Sequence, residues 1–532
     1  MIRSSRPLLP LLIIAGAFAV YAQPAFRIAG TVVSAETGAA LARSHVYLLR
    51  TGSTQIVANM ITADDGKFSF DRPQGSYNLW AGNRMLPQAY GLHSPGDRIS
   101  SSIITGPGQD TSHLTLRYFA HVAISGKVVD DEGEPVENAL IQVVRSTVSG
   151  GRRSNINITW LRTNDLGEYR IGSLAAGTYY LAATGEPWFA KANGYVQFDQ
   201  QNGPSAAFEP VYYPGAADPS RAAPLILKPG DEARADFTLR LAAGATIAVN
   251  HDAPDNFRGI ISLIREGIAG RESFQDSQNF SGTLKPHRLT GVPPGHYTLR
   301  VRPSAGGPLM EAERELDVNG SNISVDLSLR PTPQVSGTVE FPGGRPTGTL
   351  LVTLARTDGT GTFSAAVKPD GTFNFARLDS GQFQPGVTLS GQGGVYAAGV
   401  QAQGAPFRDG VLDLADGTTA QLRIAASQEM GRLKGFALVD GKPAEGVLVV
   451  LTPTAETKDF VSYAFQTDTD GSFDWKFVRP GSYWLFATTE TQIEYRSFAA
   501  LKPYLAAAAA VRIEPHRVYE QNVPLSTPAA GK

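Results

Sequence analysis

One short pattern is written several times along this chain of 532 residues. A β-type opening with a central glycine occurs at Gly30, Gly126, Gly337 and Gly435, and a weaker copy stands at Gly244. Between 44 and 51 residues after each opening comes a second pattern, in which a glycine is followed by any residue and an aromatic. Self-similarity at a nearly fixed period marks a repeat architecture. The sequence therefore predicts one structural unit repeated five times.

The signals inside each unit are those of strands and tight turns. The second pattern ends in Tyr77, Tyr179, Tyr297, Phe383 and Tyr483. Four units place an Asp and a Gly just before an aromatic strand, at Asp65-Gly66, Asp165-Leu166-Gly167, Asp370-Gly371 and Asp470-Gly471. Such turns between alternating apolar residues are typical of hairpins. No unit shows an amphipathic helix of ten or more residues, so the predicted fold class is all-β, a tandem array of about five antiparallel β-sandwich domains.

We divide the chain by these signals. The predicted segments are a signal peptide (1–22), repeat 1 (23–119), repeat 2 (120–241, with an aromatic-rich insertion at 185–215), the divergent repeat 3 (242–331), repeat 4 (332–427) and repeat 5 (428–532).

The first 22 residues have the layout of an export signal. Arg3 and Arg6 are followed by an apolar run from Leu8 to Val20, and Ala22 closes a small-residue cleavage site. Thirteen residues are too few to cross a bilayer core of about 30 Å comfortably. We therefore predict an extracytoplasmic protein (secreted, periplasmic or on the outer cell surface) with no membrane span after cleavage.

Composition narrows the function classes. The net charge is −2, from 47 basic and 49 acidic residues, so the chain lacks the basic excess typical of nucleic-acid binders. It contains no cysteine, which excludes disulfides, thiolate metal sites and a cysteine nucleophile. Hydrophobic residues make up 42%, enough for packed cores.

Several motifs together resemble the carboxypeptidase regulatory-like domain. They are the glycine opening, the segments Gly133 to Ala139 and Gly441 to Val447 with Pro at their third position, and the Asp-x-Gly-x-Tyr and Gly-x-Tyr-x-Leu patterns. The resemblance is clearest in repeats 2 and 5 and weakest in repeat 3. It implies an immunoglobulin-like or transthyretin-like sandwich, related to the Cna B-type repeats of bacterial surface proteins and to carbohydrate-binding-like folds. It implies no peptidase activity.

The search for catalytic chemistry is negative. None of the eight histidines stands in a His-x-x-Glu or His-x-x-x-His pair, and no nucleophile elbow or phosphate loop is present. We predict no catalytic residues, no metal site and no cofactor. Asp64-Asp65-Gly66 and Asp468-Thr469-Asp470-Gly471 resemble fragments of a calcium loop, but turn formation explains them better. Lys127 stands where a Cna B-type isopeptide lysine could lie, although the other repeats have no lysine there.

Exposed aromatics are the candidate ligand contacts. If Tyr77 and Leu79 face the core, strand alternation turns Trp80 outward, and the same logic applies to Tyr180, Trp484 and Phe486. The insertion adds further candidates, Trp188, Phe189, Tyr212 and Tyr213. Aromatic rings are suitable platforms for sugars or protein surfaces. The alternative is that the insertion folds over its own sandwich or buries a joint with a neighbouring repeat.

The functional prediction is an exported, non-catalytic scaffold or binding protein of the bacterial cell envelope. Its expected partners are a glycan, another cell-envelope polymer or a protein. The alternatives are an enzyme accessory protein or hydrolase with an undetected site, and a purely mechanical spacer. The expected arrangement is a monomeric, elongated rod.

Overall fold

The structure is a computed structural model that describes most of the chain. The described residues are 24–82, 86–97, 99–187, 206–274, 278–304, 307–359, 361–375, 377–390, 394–456 and 461–526. The predicted signal peptide and two candidate aromatics, Trp188 and Phe189, lie outside these residues.

In their described residues, the first two repeats contain strands and one short 3-10 turn. Repeat 1 contains β1 (Ala25–Ser34), β2 (His45–Arg50), β3 (Ile56–Ile61), β4 (Lys67–Pro73), β5 (Gly75–Gly82), β6 (Gln88–Ala89), β7 (Ile103–Thr105) and β8 (Leu114–Tyr118). Repeat 2 contains β9 (Val122–Asp130), β10 (Leu140–Ser149), β11 (Arg152–Arg162), β12 (Glu168–Leu174), β13 (Gly177–Thr184), β14 (Ala206–Phe208), β15 (Val211–Tyr212), the 3-10 turn Pro219–Arg221, β16 (Leu225–Leu227), β17 (Glu232–Arg234) and β18 (Phe237–Leu239). Strand β19 (Leu241–Ala243) crosses the boundary to repeat 3.

The other three repeats follow the same plan. Repeat 3 contains β20 (Ala245–His251), β21 (Arg258–Gly267), β22 (Gly270–Ser273), β23 (Gln278–Ser281), β24 (His287–Val292), β25 (Gly295–Pro303), β26 (Met310–Val318), β27 (Ile323–Leu327) and β28 (Arg330–Pro331). Repeat 4 contains β29 (Gln334–Glu340), β30 (Leu350–Arg356), β31 (Thr362–Ala366), β32 (Thr372–Phe375), β33 (Gly381–Leu389), β34 (Tyr396–Gln403), β35 (Phe407–Arg408), β36 (Val411–Leu414) and β37 (Thr419–Ser427). Repeat 5 contains β38 (Gly431–Val439), β39 (Lys442–Pro443), β40 (Leu448–Pro453), β41 (Tyr463–Gln466), β42 (Ser472–Val478), β43 (Gly481–Thr488), α1 (Phe498–Leu505), β44 (Ala509–Ile513), β45 (Val518–Glu520) and β46 (Val523–Pro524).

Each repeat has two main sheets, which confirms the all-β fold class. In repeat 1 the sheets have the strand orders β4-β1-β8 and β3-β2-β5-β6, and the other repeats have equivalent pairs. Parallel strand pairing is a feature that the hairpin pattern did not reveal. The opening strand pairs in parallel with a strand near the end of its repeat, as β1 does with β8 and β29 with β37.

The apolar faces of the two sheets meet in a core inside each repeat. Five separate clusters of buried hydrophobic side chains lie within residues 28–116, 122–239, 245–329, 335–426 and 433–523. Each cluster draws its buried residues from one predicted repeat. The buried aromatics of the repeating patterns, such as Phe68, Phe373 and Phe473, belong to these clusters. The sequence pattern thus repeats once for each hydrophobic core.

The recurring glycine allows the parallel strand to approach. An added Cβ would lie 2.0 Å from the Leu114 carbonyl oxygen at Gly30 and 2.0 Å from the Leu422 carbonyl oxygen at Gly337. Gly126 and Gly435 have the same close contact, at 1.9 and 2.0 Å. A side chain at any of these four positions would push the parallel strand away from the opening strand.

Repeat 3 does not have this glycine. The opening glycine pairs with Phe68 in repeat 1 and with Phe373 in repeat 4. In repeat 3 the residue that faces the corresponding strand is Val249, which pairs with His287. The prediction that Gly244 opens this repeat is therefore wrong, because Gly244 precedes β20. The valine at this position explains why the resemblance is weakest in repeat 3.

The glycine-x-tyrosine pattern has a structural role beyond core packing. The hydroxyl of each tyrosine donates a hydrogen bond to the backbone carbonyl four residues earlier, with lengths between 2.5 and 3.1 Å. The four donors are Tyr77, Tyr179, Tyr297 and Tyr483. Burial raises the pKa of Tyr297 to about 12. Each bond fastens the turn before the strand to the strand itself.

Repeat 1 packs directly against repeat 5. The Ser101 hydroxyl donates to the Thr467 carbonyl at 2.8 Å, and the Ser102 N–H donates to Asp468 Oδ1 at 2.9 Å. The Thr469 N–H returns a bond to the Ser102 carbonyl at 3.0 Å. The prediction of an elongated rod is therefore wrong, because a rod of five repeats would hold the first and the last far apart.

Further contacts extend this joint. His93 Nε2 lies 2.7 Å from the Gly446 carbonyl oxygen, and the Tyr90 hydroxyl donates to Glu445 at 3.2 Å. Burial, reinforced by Glu445, raises the pKa of Tyr90. Burial also raises the pKa of Asp468 to about 6. The joint therefore contains buried polar groups that are paired across the two repeats.

Repeat 2 reaches the same joint through the tip of its β10–β11 hairpin. The Arg496 N–H of repeat 5 donates to the Gly151 carbonyl at 2.9 Å, and Arg153 pairs with Glu494 at 3.0 Å. Repeats 1, 2 and 5 consequently meet at one place.

Gly337→Ala tests the close approach in repeat 4. The new methyl group would overlap the Leu422 carbonyl, so we expect a loss of about 2–3 kcal/mol in the stability of this repeat. Hydrogen exchange measured by mass spectrometry should show faster exchange in β29 and β37 than in the other repeats. Gly343→Ala is the matched control, because no atom lies within 4 Å of its new Cβ. Equal exchange in the two variants would contradict this role.

Candidate functional site

The outer face of repeat 1 carries a row of stacked rings. Tyr47 on β2 pairs directly with Trp80 on β5, and their ring planes are 5° apart with centroids 6.4 Å apart. The exposed His45 continues the row, with its ring 5.7 Å from that of Tyr47. Ile61, which pairs with His45, is 65% exposed. Trp80 thus points outward, and like Tyr47 it is partly exposed.

The corresponding face of repeat 5 is covered. Phe486 does point away from the main core, but it is fully buried because the ring of Tyr504 from α1 stacks on it at 5.1 Å. Leu448 and Val450 join it in a second apolar cluster, against which Ile99 of repeat 1 packs. The prediction of an exposed Phe486 is therefore wrong. Trp484 lies on the same face and is partly buried.

The two tyrosines of the insertion are not free surface groups. Tyr212 is only 2% exposed, and burial raises its pKa, with smaller influences from Arg265 and Glu272 of repeat 3 across the joint. Tyr213 packs against the core of repeat 2, with its ring 6.2 Å from that of Phe237. The prediction that these two tyrosines are exposed ligand contacts is therefore wrong. For Tyr212 the alternative of a buried joint holds.

Tyr180 lines a cavity between repeats 2 and 3. It pairs with Val144 on the outer face of its sheet, and Asn157 pairs with Val144 from the other side. The cavity has a volume of about 360 Å³. Its lining residues come from β11, β13, the 3-10 turn and the β21–β22 hairpin: Asn155, Tyr180, Pro219, Ser220, Ala222, Gly267 and Ile268.

Hydrogen bonds fix the walls of this cavity. The Asn155 side-chain amide donates to the Ile268 carbonyl at 3.0 Å, which ties β11 to the hairpin of repeat 3. Asp218 caps the 3-10 turn by accepting the Ser220 N–H at 2.8 Å. In the same joint Gln142 donates to Glu272 at 2.6 Å. The cavity is therefore bounded by two repeats that are bonded to each other.

Repeat 3 presents charges where repeats 1 and 5 present aromatics. His296 Nδ1 lies 2.7 Å from Asp317, and Arg271 pairs with Glu313 at 2.8 Å. The contact with Asp317 raises the pKa of His296. These pairs are solvent-accessible, so each contributes little to stability.

Glu311 is a buried carboxyl group at the joint between repeats 3 and 4. It is 4% exposed, and its Oε1 accepts the Ser380 N–H at 3.0 Å. Burial raises its pKa to about 7, aided by Asp379 and Asp416 and opposed by Arg300. This hydrogen bond links the Glu311 carboxyl group of repeat 3 to the backbone of repeat 4.

The aspartates that resemble a calcium loop serve as turn formers. Asp65 accepts the Lys67 N–H at 3.1 Å, and Asp470 accepts the Ser472 N–H at 3.0 Å. In the described part of the chain no group of three or more His, Cys, Asp or Glu side chains is arranged to hold a metal ion. Within the same residues no helix is long and apolar enough to cross a membrane.

Sequence reasoning missed two parts of these surfaces. Tyr47 could have been found, because it alternates with the core residues Val46 and Leu48 and therefore points outward with Trp80. The partners of Tyr180 could not, because Ser220 and Gly267 belong to a turn and a hairpin tip with no local signal for meeting.

Comparison with known families supports the resemblance in one repeat. Residues 123–240 match the model of the carboxypeptidase regulatory-like domain family. This interval corresponds to repeat 2, one of the two repeats with the clearest motifs. Comparison with curated proteins gives no match.

Solved structures with detectable similarity include pilin subunits. The TIE protein of Bacillus anthracis is 10% identical, covering 76% of this chain and 74% of that one, with a TM-score of 0.16. The minor pilin GBS52 of Streptococcus agalactiae is 12% identical over 40% of this chain and 95% of its own, with a TM-score of 0.21. The major pilin subunit BcpA of Bacillus cereus is 10% identical over 76% and 100%, with a TM-score of 0.15. At these TM-scores the likenesses carry no information on how the repeats are arranged or on what the chain binds.

Replacing Glu311 by glutamine tests the buried carboxyl group. The folded pKa of about 7 exceeds the ordinary value of 4.5, so the folded state binds the proton more tightly. The stabilising contribution is complete below about pH 4.5 and is lost as the pH rises through 7. Glu311→Gln should therefore stabilise the protein at pH 8, by up to about 3 kcal/mol, and hardly at pH 4.5.

Thermal unfolding at the two pH values measures this difference. Glu315→Gln, at an exposed position on the same strand, should give no comparable gain at pH 8. The same change in melting temperature for Glu311→Gln at both pH values would show that the carboxyl group is not held protonated.

Proposed function

We propose that this protein is an exported, non-catalytic scaffold of the bacterial cell envelope that binds a surface polymer through the outer face of repeat 1. The observation that carries the proposal is the stacked pair Tyr47 and Trp80, which lies on a rigid sheet and is flanked by exposed groups. This outward-facing ring pair, which we call the platform, offers apolar surface of the kind that packs against sugar rings.

The joints support the scaffold part of the proposal. Repeat 1 is bonded to repeat 5, so the platform is held on a multi-domain body. The groups with the most displaced carboxyl pKa values have structural partners: Glu311 accepts the Ser380 N–H and Asp468 accepts the Ser102 N–H. Export rests on the signal pattern of residues 1–22.

A mechanical spacer is the second candidate. Its natural form would be an extended array, and the contact between repeats 1 and 5 removes most of the reach that such a spacer needs. The hydrolase alternative requires a cleft with convergent acid and base groups. The cavity at Tyr180 is lined instead by uncharged residues.

Binding to cell-wall material tests the platform. Purified mature chain, residues 23–532, is incubated with isolated cell-wall polymer and with a glycan array. We expect saturable binding, and Trp80→Ala or Tyr47→Ala should weaken it by roughly five- to tenfold, since a stacked ring contributes about 1 kcal/mol or more. Trp484→Ala and Trp188→Ala, which change two other predicted aromatic contacts, are measured in the same way.

Trp160→Ala is the matched control, because Trp160 is 52% exposed and lies on repeat 2 outside the ring row. Unchanged binding in the Trp80 and Tyr47 variants would contradict the proposal that this ring pair binds the polymer. No binding to any polymer by a folded, monodisperse chain would favour a protein partner or the spacer.

A further inference from the structure

The cavity between repeats 2 and 3 has a lining of distinctive chemistry. Its seven described lining residues include no Asp, Glu, Lys, Arg or His. Charged groups beside the lining have partners of their own: Asp218 caps the 3-10 turn by accepting the Ser220 N–H at 2.8 Å, and Arg265 pairs with Glu272 at 3.3 Å, with side chains only 10% and 12% exposed. A charged ligand would find no partner of opposite sign in this lining. The cavity is therefore suited to an uncharged ligand.

The lining contains both apolar and polar groups. Tyr180, Pro219 and Ala222 offer an aromatic ring and aliphatic surface, while Asn155 and Ser220 offer an amide and a hydroxyl group. A flat aromatic ligand would gain from rings on both of its faces, and only one ring is present. A ring with apolar C–H faces and hydroxyls at its edge matches both kinds of group.

Size and position also fit a small ligand. The volume of about 360 Å³ lies at the small end of the roughly 300–1,000 Å³ typical of small-molecule sites. Such sites are frequent between domains. The bonds from Asn155 to Ile268 and from Gln142 to Glu272 hold the two repeats together, so the cavity is formed before a ligand arrives. A preformed site loses less free energy on binding.

We propose that this cavity binds a neutral saccharide of one or two rings, with Tyr180 stacking on a ring face and Asn155 and Ser220 contacting its hydroxyls. This inference rests on the proposed function, because it assigns a second sugar site to the same envelope-binding protein. The site is separate from the Tyr47 and Trp80 platform, which lies on repeat 1. A chain-end or terminal unit fits the cavity, whereas a continuous polymer fits the open platform.

Titration calorimetry on the mature chain, residues 23–532, tests the inference. The probes are cellobiose and N,N′-diacetylchitobiose, with a glucuronate-containing disaccharide and adenosine as charged and aromatic counterparts. We expect millimolar binding of at least one neutral disaccharide. Tyr180→Ala should weaken it at least tenfold, whereas Tyr180→Phe, which keeps the ring, should change it by no more than about threefold. Ser220→Ala should weaken it several-fold.

Ile226→Ala is the control, since Ile226 is 72% exposed on the same outer face and does not line the cavity. Binding that survives Tyr180→Ala would overturn the site. The absence of measurable binding of both neutral disaccharides at tens of millimolar would overturn the proposed site as well. Tighter binding of adenosine or of the charged disaccharide at Tyr180 would overturn the ligand class.

The two proposals fail separately. Cell-wall binding that depends on Trp80, with no disaccharide binding at Tyr180, overturns this inference alone. Disaccharide binding at Tyr180, with no effect of Trp80→Ala on cell-wall binding, overturns the platform alone.

Discussion

Ser101, Ser102 and Gln466 are polar groups that become buried where repeat 1 meets repeat 5, and they find partners there across more than 360 residues of sequence. A buried polar group without a partner costs about 1–3 kcal/mol, so these bonds favour the docked state. Docking also seats Ile99 on the second apolar cluster of repeat 5. The joint therefore combines polar pairing with apolar burial.

The joints determine which surfaces are available for ligands. In repeat 5 the outer face is sealed by α1, and in repeat 2 it is partly covered by the β21–β22 hairpin of repeat 3. Repeat 3 fills its own face with ion pairs. Repeat 1 retains an open row of rings, and the incomplete cover over repeat 2 leaves the cavity at Tyr180. One sandwich plan thus gives different surfaces, because the outward positions of the strands are free to vary while the inward ones must pack.

The period, the fold class and the core aromatics were predictable because they depend on local alternation and turn chemistry. The tyrosine hydroxyl bonds were not predicted, although their fixed spacing of four residues is visible once the turn is known. The weak resemblance of repeat 3 has a physical cause, because Val249 stands where the other repeats have a glycine. The burial of Tyr212 and Phe486 could not be predicted from strand alternation. Strand alternation predicts the face to which a side chain points, but packing of a neighbouring element on that face determines whether the side chain is exposed or buried.

The docking of repeat 1 on repeat 5 had no signal in the sequence, and it is the central structural claim. A distance measurement by double electron–electron resonance tests it directly. The chain has no cysteine, so spin labels at Gln109→Cys and Lys442→Cys, both at exposed positions, would be unique. A domain of about 100 residues spans roughly 35 Å, so docked repeats should give a narrow distribution below about 60 Å. A distance beyond about 100 Å, as three intervening repeats in a rod would impose, would contradict the account.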